Sequence, residues 1–199
     1  MSEEENENGN KVIFLGESNV GKTNLMRISV GKPFDSHSLS TWSVSYLPKN
    51  FTYNKKMYIF NLWDTIGQET YRSLTRIFFK NSIIVILVYD ITSRKTFEEL
   101  EYWYQQVKNE LSNEFVLAVV GNKKDLFTEM KVTEDEGKKF AEEKGAKFKL
   151  SSAKDDPMDF TQFLEELLKE SIEKNLSSMN RQRGLTITSK RNDNNKKCC

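Results

Sequence analysis

The chain has 199 residues, 30 basic against 29 acidic side chains, and a net charge of +1. That length fits one domain of about 150–200 residues, and 37% apolar with 12% aromatic content excludes a wholly disordered chain. The longest apolar run, Ile83–Tyr89, is far short of the ~20 residues a membrane-spanning helix needs.

The opening Met1–Glu7 is acidic and lacks the apolar stretch of a secretory leader. Both cysteines are the terminal pair Cys198–Cys199, which is not a disulfide framework and indicates a reducing, cytoplasmic setting. A lone His37 and two terminal thiols cannot build structural zinc. The charge is asymmetric: residues 1–10 are acidic, whereas 180–199 carry Arg181, Arg183, Lys190, Arg191, Lys196 and Lys197 against Asp193. Opposite tails on a balanced centre argue against nucleic acid as a partner.

In chain order, residues 1–10 read as an acidic, solvated arm. Val12–Leu15 is a short buried strand running into a glycine loop, and Lys22–Ser29 is the helix that follows. Phe51–Tyr53 and Met57–Trp63 flank Asn54-Lys55-Lys56, the pattern of a hairpin. Ile83–Tyr89 and Phe115–Val120 are continuous and rich in β-branched residues, as strands buried on both faces of a parallel sheet are. Between them, Thr96–Leu111 predicts a helix with Phe97, Leu100, Trp103 or Tyr104, Val107 and Leu111 on one face. Thr133–Glu136 is a capping box opening a helix that ends at Gly145. Phe148–Leu150 is the last strand, and Asp156-Pro157 opens a helix striped with Phe160, Phe163, Leu164, Leu167 and Leu168. Alternating strands and helices predict a three-layer α/β fold with a mostly parallel sheet over 11–174. Residues 175–199 read as a flexible basic tail.

Four segments carry chemistry. Gly16–Thr23 matches G-x-x-x-x-G-K-T between a strand and a helix, the setting in which backbone N–H groups cradle a polyphosphate. There Lys22 bridges the terminal phosphates and the Thr23 hydroxyl binds Mg²⁺. Asp64 ends a strand ahead of Gly67 and Gln68; the carboxylate can hold Mg²⁺ through its waters, Gly67 can offer its N–H to the last phosphate, and Gln68 can orient an attacking water. Asn122-Lys123-Lys124-Asp125 closes a buried strand. A carboxylate at Asp125 accepts the two donors guanine presents, which adenine lacks, while Lys123 lies along the purine face. Ser151–Lys154 follows the last strand and can give backbone N–H to the guanine oxygen. All four follow successive strands, where ligands of open α/β sheets bind.

These residues resemble the Ras superfamily of small GTPases, and within it the Rab family, over residues 11–174 and the two terminal cysteines. Val88–Thr92 and Phe97–Trp103 also look like the Rab pattern. The resemblance implies the three-layer P-loop small-GTPase fold: a mostly parallel six-stranded sheet with one antiparallel strand and helices on both faces. It implies GTP or GDP as ligand, with contacts from Ser18, Asn19, Val20, Gly21, Lys22, Thr23, Asn24, Phe34 (edge-on against guanine), Ser40, Thr41, Gly67, Asn122, Lys123, Asp125, Ser152, Ala153 and Lys154. Thr23, Thr41 and Asp64 would serve Mg²⁺; Gln68, Lys22 and Thr41 would serve catalysis.

Tyr46, Trp63 and Tyr71 fall where Rab proteins carry an aromatic triad read by effectors, with core packing as the competing reading. Trp42-Ser43 stand where Rab proteins carry Ile-Gly, so Trp42 joins the effector surface as a candidate anchor, or tucks against the sheet. Ile66 replaces an alanine beside Gly67, and its stiff bulk bears on closure of the second switch. No arginine in the switches is a built-in finger, so turnover is expected to be slow until an activating protein acts. Cys198-Cys199 looks like the ending that takes two geranylgeranyl groups, implying a peripheral protein on the cytosolic face of intracellular membranes. Partners implied are an exchange factor, an activating protein, effectors, a prenyltransferase and an escort or GDP-dissociation inhibitor, with the chain itself a monomer acting in vesicle trafficking. The alternative is a GTP-bound membrane scaffold that scarcely hydrolyses.

Overall fold

The computed structural model describes residues 10–36, 45–65, 79–111 and 114–192, with side chains described to residue 177. Six strands form one sheet in the order β2-β3-β1-β4-β5-β6: β1 (Asn10–Leu15), β2 (Ser45–Tyr53), β3 (Lys56–Asp64), β4 (Ser82–Asp90), β5 (Val116–Asn122) and β6 (Lys147–Leu150). Only β2 runs antiparallel to its neighbour; every other pairing is parallel. The helices are α1 (Lys22–Ser29), α2 (Arg94–Glu98), α3 (Leu100–Glu110), α4 (Glu134–Glu143) and α5 (Pro157–Asn192), with a 3₁₀ turn over Lys124–Glu129.

The central strands read as unbroken apolar runs because both faces are covered. On one face Val12, Phe14, Ile84, Ile86, Val88, Ala118 and Val120 pack against Leu25 and Met26 of α1 and the Phe160–Ile172 stripe of α5. On the other, Ile13, Leu15, Val85, Leu87, Tyr89 and Val119 meet Leu100, Trp103 and Val107 of α3 and Ala141 of α4. The period-two switch of faces along each strand follows from the pleat, and parallel pairing puts the C-terminal ends of β1, β4 and β5 along one edge.

The β2–β3 hairpin turns through Asn54 (φ 49°) and Lys55 (φ 62°), the left-handed pair that a two-residue turn between twisted strands requires. The strand before it begins at Ser45, earlier than the apolar pattern from Phe51 suggests, and includes Pro48. A proline is tolerated there because β2 lies at the sheet edge. The helix expected over Thr96–Leu111 is two pieces meeting at Glu99 (φ −69°, ψ −12°). The capping box at Thr133 forms as expected: its hydroxyl accepts from Glu136 N at 3.3 Å and Glu136 Oε2 accepts from Thr133 N at 2.8 Å.

α5 continues past Lys174, where the sequence reading begins a tail, to Asn192. No proline follows Pro157 to break it, but the packed stripe ends at Ile172, and Leu176 is 46% exposed. Among the described side chains the packed stripe thus ends at Ile172, while the backbone stays helical to Asn192.

Candidate functional site

β1 delivers the chain into the loop Gly16–Gly21 with no room to spare. A Cβ on Gly16 (φ 142°) would lie 2.1 Å from the Val88 carbonyl oxygen, and one on Gly21 (φ 96°) would lie 2.3 Å from Asn122 Nδ2. Asn19 also has positive φ, 61°, a conformation asparagine tolerates better than most residues. Lys22, buried among this backbone, donates to the carbonyls of Gly16 and Glu17, each at 2.8 Å. Burial lowers its pKa to about 8, against the pull of the Asp64 and Glu17 carboxylates. Further negative charge beside this desolvated ammonium would stabilise its protonated form.

Thr23 Oγ1 donates to Asp64 Oδ2 at 2.6 Å, bringing the hydroxyl of α1 to the carboxylate that ends β3. A hydroxyl and a buried carboxylate side by side are hard oxygen donors of the kind Mg²⁺ takes alongside phosphate oxygens and water, so these residues fit the ion. Among the described residues no group of three His, Cys, Asp or Glu offers a cage made wholly of protein. Next door, Thr65, only 1% exposed, donates to the Phe14 carbonyl at 2.6 Å and ties the end of β3 to β1.

The base side is assembled by loops after β5 and β6. Asn122 Nδ2 donates to the Val20 carbonyl at 2.8 Å, and its Oδ1 accepts from Ala153 N at 3.3 Å. One buried amide therefore joins the phosphate loop to both base loops. Ser152 Oγ donates to Asp125 Oδ1 at 2.6 Å and accepts from Lys154 N and Asp155 N at 3.3 and 3.0 Å. Lys124 N donates to the Ser151 carbonyl at 3.0 Å. Lys123 takes φ 67°, and its ammonium sits 2.7 Å from Asp90 Oδ2 at the end of β4.

Thus Ser18, Asn19, Val20, Gly21, Lys22, Thr23, Asp64, Asn122, Lys123, Asp125, Ser152, Ala153 and Lys154 gather at the C-terminal edge of the sheet. Phe34 is 38% exposed in the segment after α1. Asn24 spends its side chain on Asp35: Nδ2 donates to the carbonyl at 3.0 Å and Oδ1 accepts from the N–H at 2.9 Å. Tyr46 and Trp63 stack across β2–β3 at 5.0 Å, with the Lys11 ammonium 4.4 Å from the Trp63 ring. Ser40, Thr41, Trp42, Ile66, Gly67, Gln68, Tyr71, Cys198 and Cys199 lie outside the described residues.

The sequence reading did not foresee three partners. Trp103, assigned to an apolar face, donates its indole N–H to Glu17 Oε1 at 3.2 Å inside the core. Asp90 holds Lys123, and Asn24 holds Asp35. Each joins residues distant in sequence or uses a side chain that local pattern treats as neutral. The one available signal was Asp90, a carboxylate between the apolar run Ile83–Tyr89 and Ile91.

A P-loop between β1 and α1, a strand-end carboxylate and a paired Asn-Lys-x-Asp loop define a P-loop α/β protein. The chain belongs to the Ras family, whose family model matches residues 11–173. It is 36% identical to the Ras-related protein RABA1b of Arabidopsis thaliana over 143 residues, covering 72% of this chain and 66% of that protein. It is also 36% identical to the Ras-related protein SEC4 of Saccharomyces cerevisiae over 169 residues, 83% and 77% of the two chains. With the Ras-related protein Rab-2B of Dictyostelium discoideum it shares 38% identity over 144 residues, 72% and 71%.

Proposed function

We propose that this chain is a Rab-like small GTPase, a guanine-nucleotide switch that binds GTP with Mg²⁺ and hydrolyses it slowly to GDP. The observation that supports the reading is the Asn122 amide bridging Val20 and Ala153, which ties the P-loop to the loops that carry Asp125 and Ser152. A carboxylate at Asp125, steadied through Oδ1 by Ser152, rewards guanine, because guanine offers it two donors that adenine lacks.

In the proposed reaction, Lys22 and the loop amides hold the β- and γ-phosphates against the N-terminus of α1. Thr23, Asp64 and Thr41 are the residues to hold Mg²⁺, which when bound offsets phosphate charge as the bond to the leaving oxygen breaks. Gln68 orients the water that attacks the γ-phosphorus, and Gly67 donates its N–H to a γ-oxygen. Loss of that phosphate releases Thr41 and Gly67, so effectors meet different surfaces in the two states. Tyr46 and Trp63, with Trp42 and Tyr71, form the effector surface. Geranylgeranyl groups on Cys198 and Cys199 anchor the protein to a cytosolic membrane face, where it serves vesicle traffic. Exchange factor, activator, effectors, prenyltransferase and an escort or GDP-dissociation inhibitor are the partners this role calls for.

Single-turnover phosphate release from GTP-loaded protein tests the reading. Slow release, suppressed in Gln68→Leu while GTP stays bound, is the expected result. Binding of ATP in preference to GTP overturns the assignment. Tight GTP binding with no release from either form selects the scaffold alternative, and Ile66→Ala then tests whether side-chain bulk beside Gly67 is the block.

A further inference from the structure

Two residues of α1, one turn apart on the same face, hold the segment that follows the helix. Asn24 grips Asp35 by its main chain from both sides, accepting its N–H at 2.9 Å and donating to its carbonyl at 3.0 Å. Arg27 Nε donates to the Pro33 carbonyl at 3.3 Å, and Arg27 Nη2 stands 3.9 Å from Asp35 Oδ2. Pro33 and Asp35 are the two neighbours of Phe34, a large apolar side chain that is 38% exposed. Both neighbours are fixed through backbone atoms, so the peptide planes on each side of Phe34 are set whatever side chains follow. Proline at 33 removes a further backbone freedom. A loop whose ends are clamped while its apolar centre faces outward is built to present that centre to a ligand.

We infer that Asn24 is a positioning residue for nucleotide retention, with Arg27 as its outer support: together they hold Phe34 as the wall against the edge of the guanine. The inference rests on the guanine-nucleotide reading above. It gives Asn24 a role through its side chain toward Phe34, separate from any contact its own backbone makes with phosphate. Losing the clamp frees the Phe34 peptides, and the bound base loses a wall that otherwise needs no ordering on binding.

The test is the dissociation rate of a fluorescent GDP from the full chain with Mg²⁺ present, for the unaltered protein, Asn24→Ala, Arg27→Met, Phe34→Leu and the double variant Asn24→Ala/Phe34→Leu. If the unaltered protein binds no GDP, the guanine-nucleotide reading itself fails, independently of Asn24. Given binding, Asn24→Ala is expected to release GDP roughly tenfold faster, the effect of losing a pair of neutral hydrogen bonds. In the Phe34→Leu background the same change is expected to add almost nothing, because the wall is already gone. An unchanged rate in Asn24→Ala, or a full additional effect in the double variant, overturns the proposal and assigns Asn24 to the phosphate side or to stability alone. Arg27→Met, at a more exposed position, gives the same reading if Asn24→Ala does not fold: faster release that vanishes without Phe34 supports the clamp, and an unchanged rate overturns it.

Discussion

Lys123 Nζ lies 2.7 Å from Asp90 Oδ2, and the other oxygen of that carboxylate accepts from Thr92 N and Thr92 Oγ1, each at 2.8 Å. On the proposed reading, in which Lys123 lies along the purine, its far end is fixed by a carboxylate itself held at the end of β4. The Lys123 backbone sits at φ 67°, a conformation that costs a non-glycine residue about 1–2 kcal/mol. The ion pair offsets that cost. Asp90→Asn is expected to speed GDP release by roughly tenfold, since a partly buried charge-assisted bond is worth about 1.5–3 kcal/mol before screening reduces it. Stopped-flow displacement checks this, and an unchanged rate would mean Lys123 is held well enough by its loop.

Trp103 is 1% exposed and its indole N–H reaches Glu17 Oε1. Trp103→Phe removes both the donor and part of a buried volume, and is expected to cost about 2–4 kcal/mol. Glu17→Gln keeps a carbonyl oxygen that can accept the same bond, and is expected to cost under ~1 kcal/mol. Urea denaturation of the two variants separates them. Equal losses would show that the charge, not the bond, matters at Glu17.

Among the described residues the buried Tyr89 hydroxyl has no hydrogen-bond partner, and it lies between Gly121 of β5 and Gly137 of α4. Burial pushes its phenol above the usual tyrosine range, with Glu136 and Glu134 adding to the effect. A Cβ on Gly137 would lie 2.4 Å from that oxygen and 2.5 Å from the Phe148 ring. Tyr89→Phe is expected to leave stability unchanged or raise it by up to ~1 kcal/mol, because no bond is lost and a buried polar atom is removed. Gly137→Ala is expected to lower stability by about 1–3 kcal/mol through overpacking, despite alanine's better helix propensity. Thermal unfolding reads both, and a gain in Gly137→Ala would show that α4 shifts freely.

Glu136 is the N3 acid of the α4 capping box and also accepts from Arg94, at 2.7 and 3.2 Å. The Arg94 guanidinium and the Thr133 bonds hold its carboxyl down at about 2, against an ordinary 4.5. The folded state thus favours the ionised acid. The stabilisation is present above the ordinary value and lost as pH falls from 4.5 toward 2. Glu136→Gln is expected to flatten that part of the stability–pH curve, measured by denaturation at successive pH values. An unaltered slope would show the pairs are screened away in solution.

Much of this architecture was legible because the sequence says the same thing at several levels. Lys22–Ser29 follows a glycine loop, Thr133 and Glu136 write a capping box, and Ile83–Tyr89 is too apolar for any place but a sheet covered on both faces. The strand edges and the split at Glu99 were not, because neighbouring strands and packing decide them. Of the candidate site, motif and order put the Gly16–Thr23 loop, Asp64, Asn122, Asp125 and Ser152 at successive strand ends, and the fold brings those strand ends together. The partners of Asp90, Glu17 and the side chain of Asn24 could not be read that way. Each acts on a partner brought close only by the fold, and local spacing carries no trace of such a pair.

Asn122 does more than close one side of a pocket. Its amide touches Val20 and Ala153 at once, and Gly21 lies so close that no side chain fits between them. Two recognition problems, for a charged chain of phosphates and for a flat base, thus share a single rigid joint. A ligand fragment that orders either half lowers the ordering entropy left for the other half to lose. Nucleoside and pyrophosphate supplied separately should accordingly bind with positive cooperativity. On the proposed reading, the covalent link between them in a nucleotide draws on the coupling that the Asn122 joint provides.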